Sequence, residues 1–143
     1  MDGWDARDMV SRWDVLEVYS RATARTATDF LAAIGARGPF PLRAIQVDGG
    51  SEFMASFEEA CRQEGLHLFV LLPCSPKLNG HVERAQRTHK EEFYEIRDLP
   101  DSLEKVNKML RAWEEVYNCY RPHQALGYLT PKAFYHRSSQ AAV

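Results

Sequence analysis

The chain has 143 residues, of which 45% are hydrophobic and 27% charged, with a formal net charge of −2 at pH 7. That length suits one domain, and that composition supports a packed core and argues against a disordered polymer. No apolar run approaches the roughly 20 residues needed to span a bilayer, and the start, MDGWDARDMV, is too acidic and polar for a secretory signal. No membrane association and a cytoplasmic location are therefore expected. The three cysteines, Cys61, Cys74 and Cys119, are widely spaced with no zinc-type pattern and read as ordinary reduced thiols.

WDVLEVY (Trp13–Tyr19) alternates and is rich in β-branched and aromatic residues, which predicts a strand. In TARTATDFLAAIGARG the apolar positions Ala27, Phe30, Leu31 and Ile34 repeat at helical spacing, and Gly35 or Gly38 can end that helix. LRAIQV (Leu42–Val47) is a short strand. SEFMASFEEACRQEG opens on Ser51 as a cap, closes at Gly65 and carries Phe53, Phe57, Ala60 and Cys61 on one face. LHLFVLL (Leu66–Leu72) is almost wholly apolar, as a strand buried on both faces would be.

Pro73, Pro76 and Gly80 predict a loop over 73–80. A helix then runs from about His81 toward Arg97, with Val82, Ala85, His89, Phe93 and Ile96 on one stripe. Ser102 caps a last long helix through about Tyr120, with Leu103, Val106, Leu110, Trp113 and Tyr117 inward, and Arg121-Pro122 stops it. Tyr120 is expected inward with Tyr117, and Arg121 and His123 are expected to bond the loop. Thr130-Pro131 reads as the cap and first position of a short terminal helix. Strands separated by helices predict a mixed α/β sheet with helices on its faces.

Charge is unevenly spread. Over 77–90 four cations, Lys77, Arg84, Arg87 and Lys90, surround one acid, Glu83. Such a patch attracts phosphate over about a Debye length, ~8–10 Å, even in a chain of slightly negative charge; a plain solvated helix face is the other reading. Asp48 directly follows a strand, at the sheet edge where open α/β sheets place ligands. Glu83 opens the helix after the next strand. Either acid alone has an ordinary reading, a turn former at Asp48-Gly49 and a first-turn helix acid at Glu83. Joined by one helix and one strand, they can meet at one edge, where carboxylate oxygens suit a hard divalent cation.

VDGGSEF, PCSPKLNGHVER, RTHKEEFY and YNCYRPHQALGYLTP together resemble the integrase catalytic core of bacterial insertion-sequence transposases and retroviral integrases, the Asp-Asp-Glu class. The resemblance runs from about Arg12 to Tyr135. It implies a ribonuclease-H-like fold: a mixed sheet with helices on both faces, its first strand missing here, as a catalytic core over residues 1–137 followed by a tail over 138–143. It implies Asp48 and Glu83 as catalytic residues holding Mg2+ or Mn2+, and no small-molecule cofactor. The expected partners are DNA, as transposon ends and target, and a second copy in a homodimer, beside the nucleoid of a bacterium. Lys77, Asn79, Arg87 and Lys90 are the expected DNA contacts.

Two departures from the family pattern matter. The chain has Asp48-Gly49-Gly50 where the family usually has Asp-Asn-Gly, and the first catalytic acid has no counterpart in the expected place. Asp5, Asp8 and Asp14 are the upstream substitutes; Asp8 reads as a turn acid, and Asp14 falls inside a strand. The expected function is metal-dependent phosphoryl transfer on DNA, 3′-end cleavage and strand transfer, impaired in an N-terminally truncated chain. The alternative is a non-catalytic DNA-binding or dimerisation remnant. His67 is expected to be structural and His89 to be a satisfied core or interface histidine.

Overall fold

The computed structural model describes residues 2–48, 54–71 and 76–141; the side chains at 2, 48, 54, 71, 76–82 and 139–141 are not described. In chain order the elements are β1 (Asp2–Arg7), β2 (Asp14–Tyr19), α1 (Ala24–Arg37), β3 (Ala44–Asp48), α2 (Met54–Gln63), β4 (His67–Leu71), α3 (Pro76–His89), a π-helical turn (Lys90–Tyr94), α4 (Leu103–Cys119), a 3-10 turn (Gln124–Leu126) and α5 (Pro131–Ala141). The sequence patterning did not signal β1, a short polar run. Its partner is made by a local turn: the Asp8 carboxylate accepts from the Ser11 N–H at 2.8 Å and its hydroxyl at 2.6 Å. Asp8 is thus the turn acid that its context suggested.

β1 and β2 pair antiparallel, Asp2 opposite Tyr19 and Arg7 opposite Asp14. β3 and β4 pair parallel, Ala44 opposite His67 and Asp48 opposite Leu71. The strands thus form two two-stranded sheets, with no strand between β1 and β3 among the described residues.

α1 is capped by Thr23 and Thr26, each side chain bonded to the other residue's backbone N–H at 3.2 and 2.8 Å. It buries the face the spacing predicts, Ala27, Phe30, Leu31 and Ile34. One cluster joins Leu31 to Phe57 and Cys61 of α2, with Ile45, Val47 and Leu68 against it. A second packs Leu16 and Val18 of β2 against Phe93, Val106, Leu110, Trp113 and Tyr117. Ser102 caps α4, accepting from the Lys105 N–H at 3.4 Å, and Thr130 caps α5, accepting from the Ala133 N–H at 3.1 Å.

The outer edge of β2 is sealed by side chains. Asn118 accepts from the Asp14 N–H at 2.9 Å and donates to its C=O at 2.8 Å. Glu114 accepts from the Leu16 N–H at 2.7 Å, Arg37 donates to the Leu16 C=O at 2.8 Å, and Asn107 brackets Val18 with two bonds of 2.8 Å. The strand's backbone is satisfied without a neighbouring strand, which blocks edge-to-edge pairing there.

Several expectations need correction. β4 is not buried on both faces: Leu66 and Leu68 pack against the helices, Phe69 on the other face is 59% exposed, and Val70, on the side of Leu68 near the strand end, is 48% exposed. The predicted loop over 73–80 ends early, since α3 begins at Pro76; proline is tolerated at a first helical position, where its N–H would have no partner anyway. Ile96 is 68% exposed rather than on the buried stripe. The π-helical turn inserts an extra residue per turn after His89, so Ile96 falls out of register with the buried stripe while Tyr94 packs against the core. Tyr120 lies past the last turn of α4 and is 70% exposed. His67 is also exposed. The expected boundary at 137 falls within α5.

Candidate active site

Asp48 is the last residue of β3, in register with Leu71 at the end of β4. Four residues separate that strand end from Pro76 at the start of α3. The parallel pairing therefore brings Asp48 and the approach to α3 to the same end of one sheet. Glu83 lies two turns into α3 and is exposed, with no hydrogen bond or ion pair among the described residues. The side chains of Asp48, Lys77 and Asn79 lie outside the described residues.

Arg84 and Arg87 of α3 and Lys90 of the π-helical turn are exposed, and Arg87 and Lys90 are matched by acids of the same helical run. Arg87 Nε lies 2.9 Å from Glu91, which holds the guanidinium pKa up, and Lys90 Nζ lies 3.7 Å from Glu95. Exposed pairs of this kind are weakened by solvent and salt, so a phosphate can compete for either cation.

The opposite face of α3 is anchored through His89, expected as a core or interface histidine, by a buried polar cluster around Asp14 whose other members the sequence did not reveal. The Asp14 carboxylate is fully buried and receives Arg7 Nε at 2.7 Å, Arg7 Nη2 at 3.2 Å and His89 Nε2 at 2.8 Å. Trp113 Nε1–H donates to His89 Nδ1 at 2.9 Å. An indole nitrogen only donates, so Nδ1 holds the lone pair and Nε2 carries the hydrogen that goes to Asp14. Arg7 also bonds the Tyr117 hydroxyl. Burial and the Asp14 charge push the Tyr117 hydroxyl pKa upward, and burial pushes that of Tyr94 to about 12. β1 and α3 thus meet on the β2 carboxylate, and α4 braces both partners through Tyr117 and Trp113, which fixes the rotation of α3 and holds Glu83, Arg87 and Lys90 outward. Nearby, Arg121 makes a two-pronged pair with Glu92 at 2.7 and 2.9 Å and lowers the acid's pKa, and His123 Nε2 lies 3.0 Å from the Tyr117 carbonyl. His89 and His123 are satisfied structural histidines; Arg121, expected to bond its own loop, instead pairs across to Glu92 of the π-helical turn.

Potential ligand atoms of Asp5, Asp14 and His89 all lie within 4.8 Å of one another. The donor set nonetheless suits a hard cation poorly. Both nitrogens of His89 are engaged, and Asp14 already neutralises an arginine; Asp5 alone among the three has carboxylate oxygens without a hydrogen-bond partner among the described residues. Burial, then the Asp14 charge, raise the Asp5 pKa well above the usual carboxylate range. This group reads as a structural brace. Glu83, exposed and without a partner among the described residues, has the oxygen chemistry that Mg2+ or Mn2+ prefers.

Residues 64–131 match the integrase core domain family. The chain is 33% identical over 88 residues to the transposase InsD for insertion element IS2A/D/F/H/I/K of Escherichia coli and to that for IS2D of E. coli strain K12, each alignment covering 61% of this chain and 29% of the relative. The chain spans 28–40% of the length of these curated relatives. In three dimensions it resembles the catalytic core domain of BIV integrase, with a TM-score of 0.75, 22% identity and coverage of 98% of this chain and 88% of that one. A chain of the simian T-cell lymphotropic virus intasome in complex with PP2A regulatory subunit B56 gamma superposes with a TM-score of 0.78 at 20% identity, covering 94% of this chain and 48% of that one. No helix among the described residues is long and apolar enough to cross a membrane. Residues 64–131 thus resemble the integrase core domain, and nearly the whole chain shares the ribonuclease-H-like α/β fold of integrase catalytic cores.

Proposed function

We propose that the chain is the catalytic core of a DNA transposition or integration protein and that Asp48 and Glu83 are its metal-holding carboxylates. The observation that carries this reading is topological: the end of β3 and the approach to α3 share one end of the parallel β3–β4 pair, with Glu83 exposed and without a partner among the described residues. Bound Mg2+ or Mn2+ would supply charge neutralisation at the scissile phosphate and a lowered pKa for the attacking oxygen. Asp48 and Glu83 would hold such ions while staying ionised. Lys77, Arg87 and Lys90 would hold the DNA backbone, and Asn79 the loop-proximal strand. In the reaction, a water oxygen bonds to phosphorus and the 3′ oxygen leaves with a proton. The freed 3′-hydroxyl then attacks a target phosphate, its 3′ oxygen forming the new bond as the target's own 3′ oxygen leaves.

We also infer that the protein self-associates as a homodimer. Val116 and Tyr120, exposed apolar side chains one turn apart near the end of α4, support this. Sedimentation over a concentration series tests it; a monomer at all concentrations removes the inference.

Calorimetric Mn2+ titration of the full chain tests the metal site. Wild type should bind in the micromolar-to-millimolar range, and Asp48→Asn and Glu83→Gln should each abolish that binding without lowering the melting temperature. Salt-sensitive DNA binding with no metal response would leave a DNA-binding module without catalysis. Unchanged Mn2+ binding in both variants would remove the two acids from the site.

A further inference from the structure

The acids of this chain stop short of its last elements. Residues 116–143 contain no Asp or Glu, and they hold three cations, Arg121, Lys132 and Arg137. Arg121 is paired with Glu92. Lys132 and Arg137 are exposed and make no ion pair among the described residues. In α5 Pro131 is buried and Phe134 and Tyr135 are half-buried, so that side faces the fold and Lys132, His136 and Arg137 lie on the outward half. Charge of one sign, gathered in a chain whose formal net charge is −2, makes a local field that favours a polyanion.

Tyr128 stands four residues before Lys132. Its ring is 70% exposed and meets no other ring among the described residues. Its backbone sits in the left-handed region at φ +67°, next to Gly127 at φ +64°. The Leu129 N–H donates to the Leu126 C=O at 3.3 Å, which closes the mirror-image turn that needs φ > 0 at both central residues. Among the described residues, Arg12 is the only other non-glycine with positive φ. The loop is fixed on either side of the ring. His123, Leu126 and Pro131 are buried, the Tyr128 N–H donates to the His123 C=O at 2.9 Å, and the His123 N–H donates to the Leu129 C=O at 3.0 Å. Glycine would close the same turn without the clash that a Cβ meets in this conformation. Folding therefore accounts for the turn and not for the tyrosine. A strained residue whose side chain stands in solvent suits a ligand.

We propose that this C-terminal surface binds a single-stranded nucleic acid, with one unpaired base stacked on the Tyr128 ring and neighbouring phosphates held by Lys132 and Arg137. An open ring beside such cations is the combination that single-strand sites use: every base has a face to stack, and the cations follow the backbone. A base inside a duplex is already stacked on its neighbours and offers this ring no face. Four residues of chain keep Lys132 within ~14 Å of Tyr128, and Arg137 lies about 7–8 Å further along α5. The surface uses neither the cations of the α3 run nor Val116 and Tyr120. It shares a nucleic-acid ligand with the catalytic reading, and either can fail alone.

The test follows the anisotropy of a fluorescein-labelled oligothymidylate of about 12 nucleotides, a length within the usual range of single-strand sites, as the full chain is added at 50–200 mM salt. Tyr128→Gly should weaken binding about 5- to 160-fold, the loss of one stacked base, without lowering the melting temperature, and Tyr128→Phe should bind as wild type does. Lys132→Ala should reduce the salt slope by about 0.7 unit. A strand of equal length and charge built from abasic sites should bind wild type and Tyr128→Gly alike. Arg87→Ala should leave oligothymidylate binding within about twofold of wild type, and Tyr128→Gly should leave duplex binding unchanged, which separates this surface from the α3 contacts. Wild type failing to bind the oligothymidylate, Tyr128→Gly binding it undiminished, or the abasic strand binding wild type as tightly as the oligothymidylate overturns the proposal. Undiminished binding together with lost self-association in sedimentation would assign the ring to a protein contact instead.

Discussion

Replacing Asn118 by alanine isolates the value of the sealed β2 edge. Asn118 is 1% exposed, and its amide meets both the N–H and the C=O of Asp14. Alanine leaves both backbone groups buried and unsatisfied. Each such loss costs about 1–3 kcal/mol, and partial overlap between the two gives about 2–5 kcal/mol in all. With about 2.1 cal/mol/K of unfolding entropy per residue over 143 residues, 1 kcal/mol corresponds to about 3 °C in melting temperature. The expected drop is therefore about 7–16 °C by circular dichroism or calorimetry. Because Asp14 also holds Arg7 and His89, Asn118→Asp should be at least as damaging, since it removes the donor and adds a charge beside a buried carboxylate. A drop below about 3 °C for Asn118→Ala would show that the edge is not sealed by this side chain.

A raised folded-state pKa means that the folded chain binds the Asp5 proton more tightly than the unfolded chain does. The Asp5 contribution is then fully present below the unfolded carboxylate pKa and is lost as pH rises through the folded value. Asp5→Asn should flatten that part of a pH-stability profile from denaturant melts; an unchanged slope refutes it. His123 has the opposite sense: burial lowers its pKa, so stability should fall as pH drops below the ordinary histidine value, and His123→Gln should remove that fall. Gly65 follows α2 at φ +71° with open space where a Cβ would stand, so Gly65→Ala should cost about 1–2 kcal/mol from the backbone alone, read by urea denaturation. Arg87→Ala and Lys90→Ala should each lower the salt slope of duplex DNA binding by about one unit, measured by fluorescence anisotropy between 50 and 200 mM salt; identical slopes in wild type and variants exclude them as phosphate contacts.

What the sequence made legible is local. Thr130-Pro131, Ser102 and Gly65 mark helix ends because capping needs only neighbouring residues, and the apolar spacing in α1 named its buried face. β1 carried too little alternation to signal a strand, and it is held by contacts with β2 and with Tyr117, 110 residues away from Arg7. The outward swing of Ile96 follows from a π-helical turn that no composition rule marks. Asp14 read only as a strand residue because its partners, Arg7, His89 and Asn118, are scattered across the chain. Asp48 and Glu83 were found by spacing and resemblance.

The bonds that close β2 join residues 89 to 104 positions apart. During synthesis the hairpin emerges from the ribosome long before Asn107, Glu114 and Asn118 do. At about 5–20 residues per second the delay is on the order of 5–20 s. Throughout it the nascent hairpin carries an open hydrogen-bonding rim, and a chaperone that shields such rims should raise the yield of soluble product.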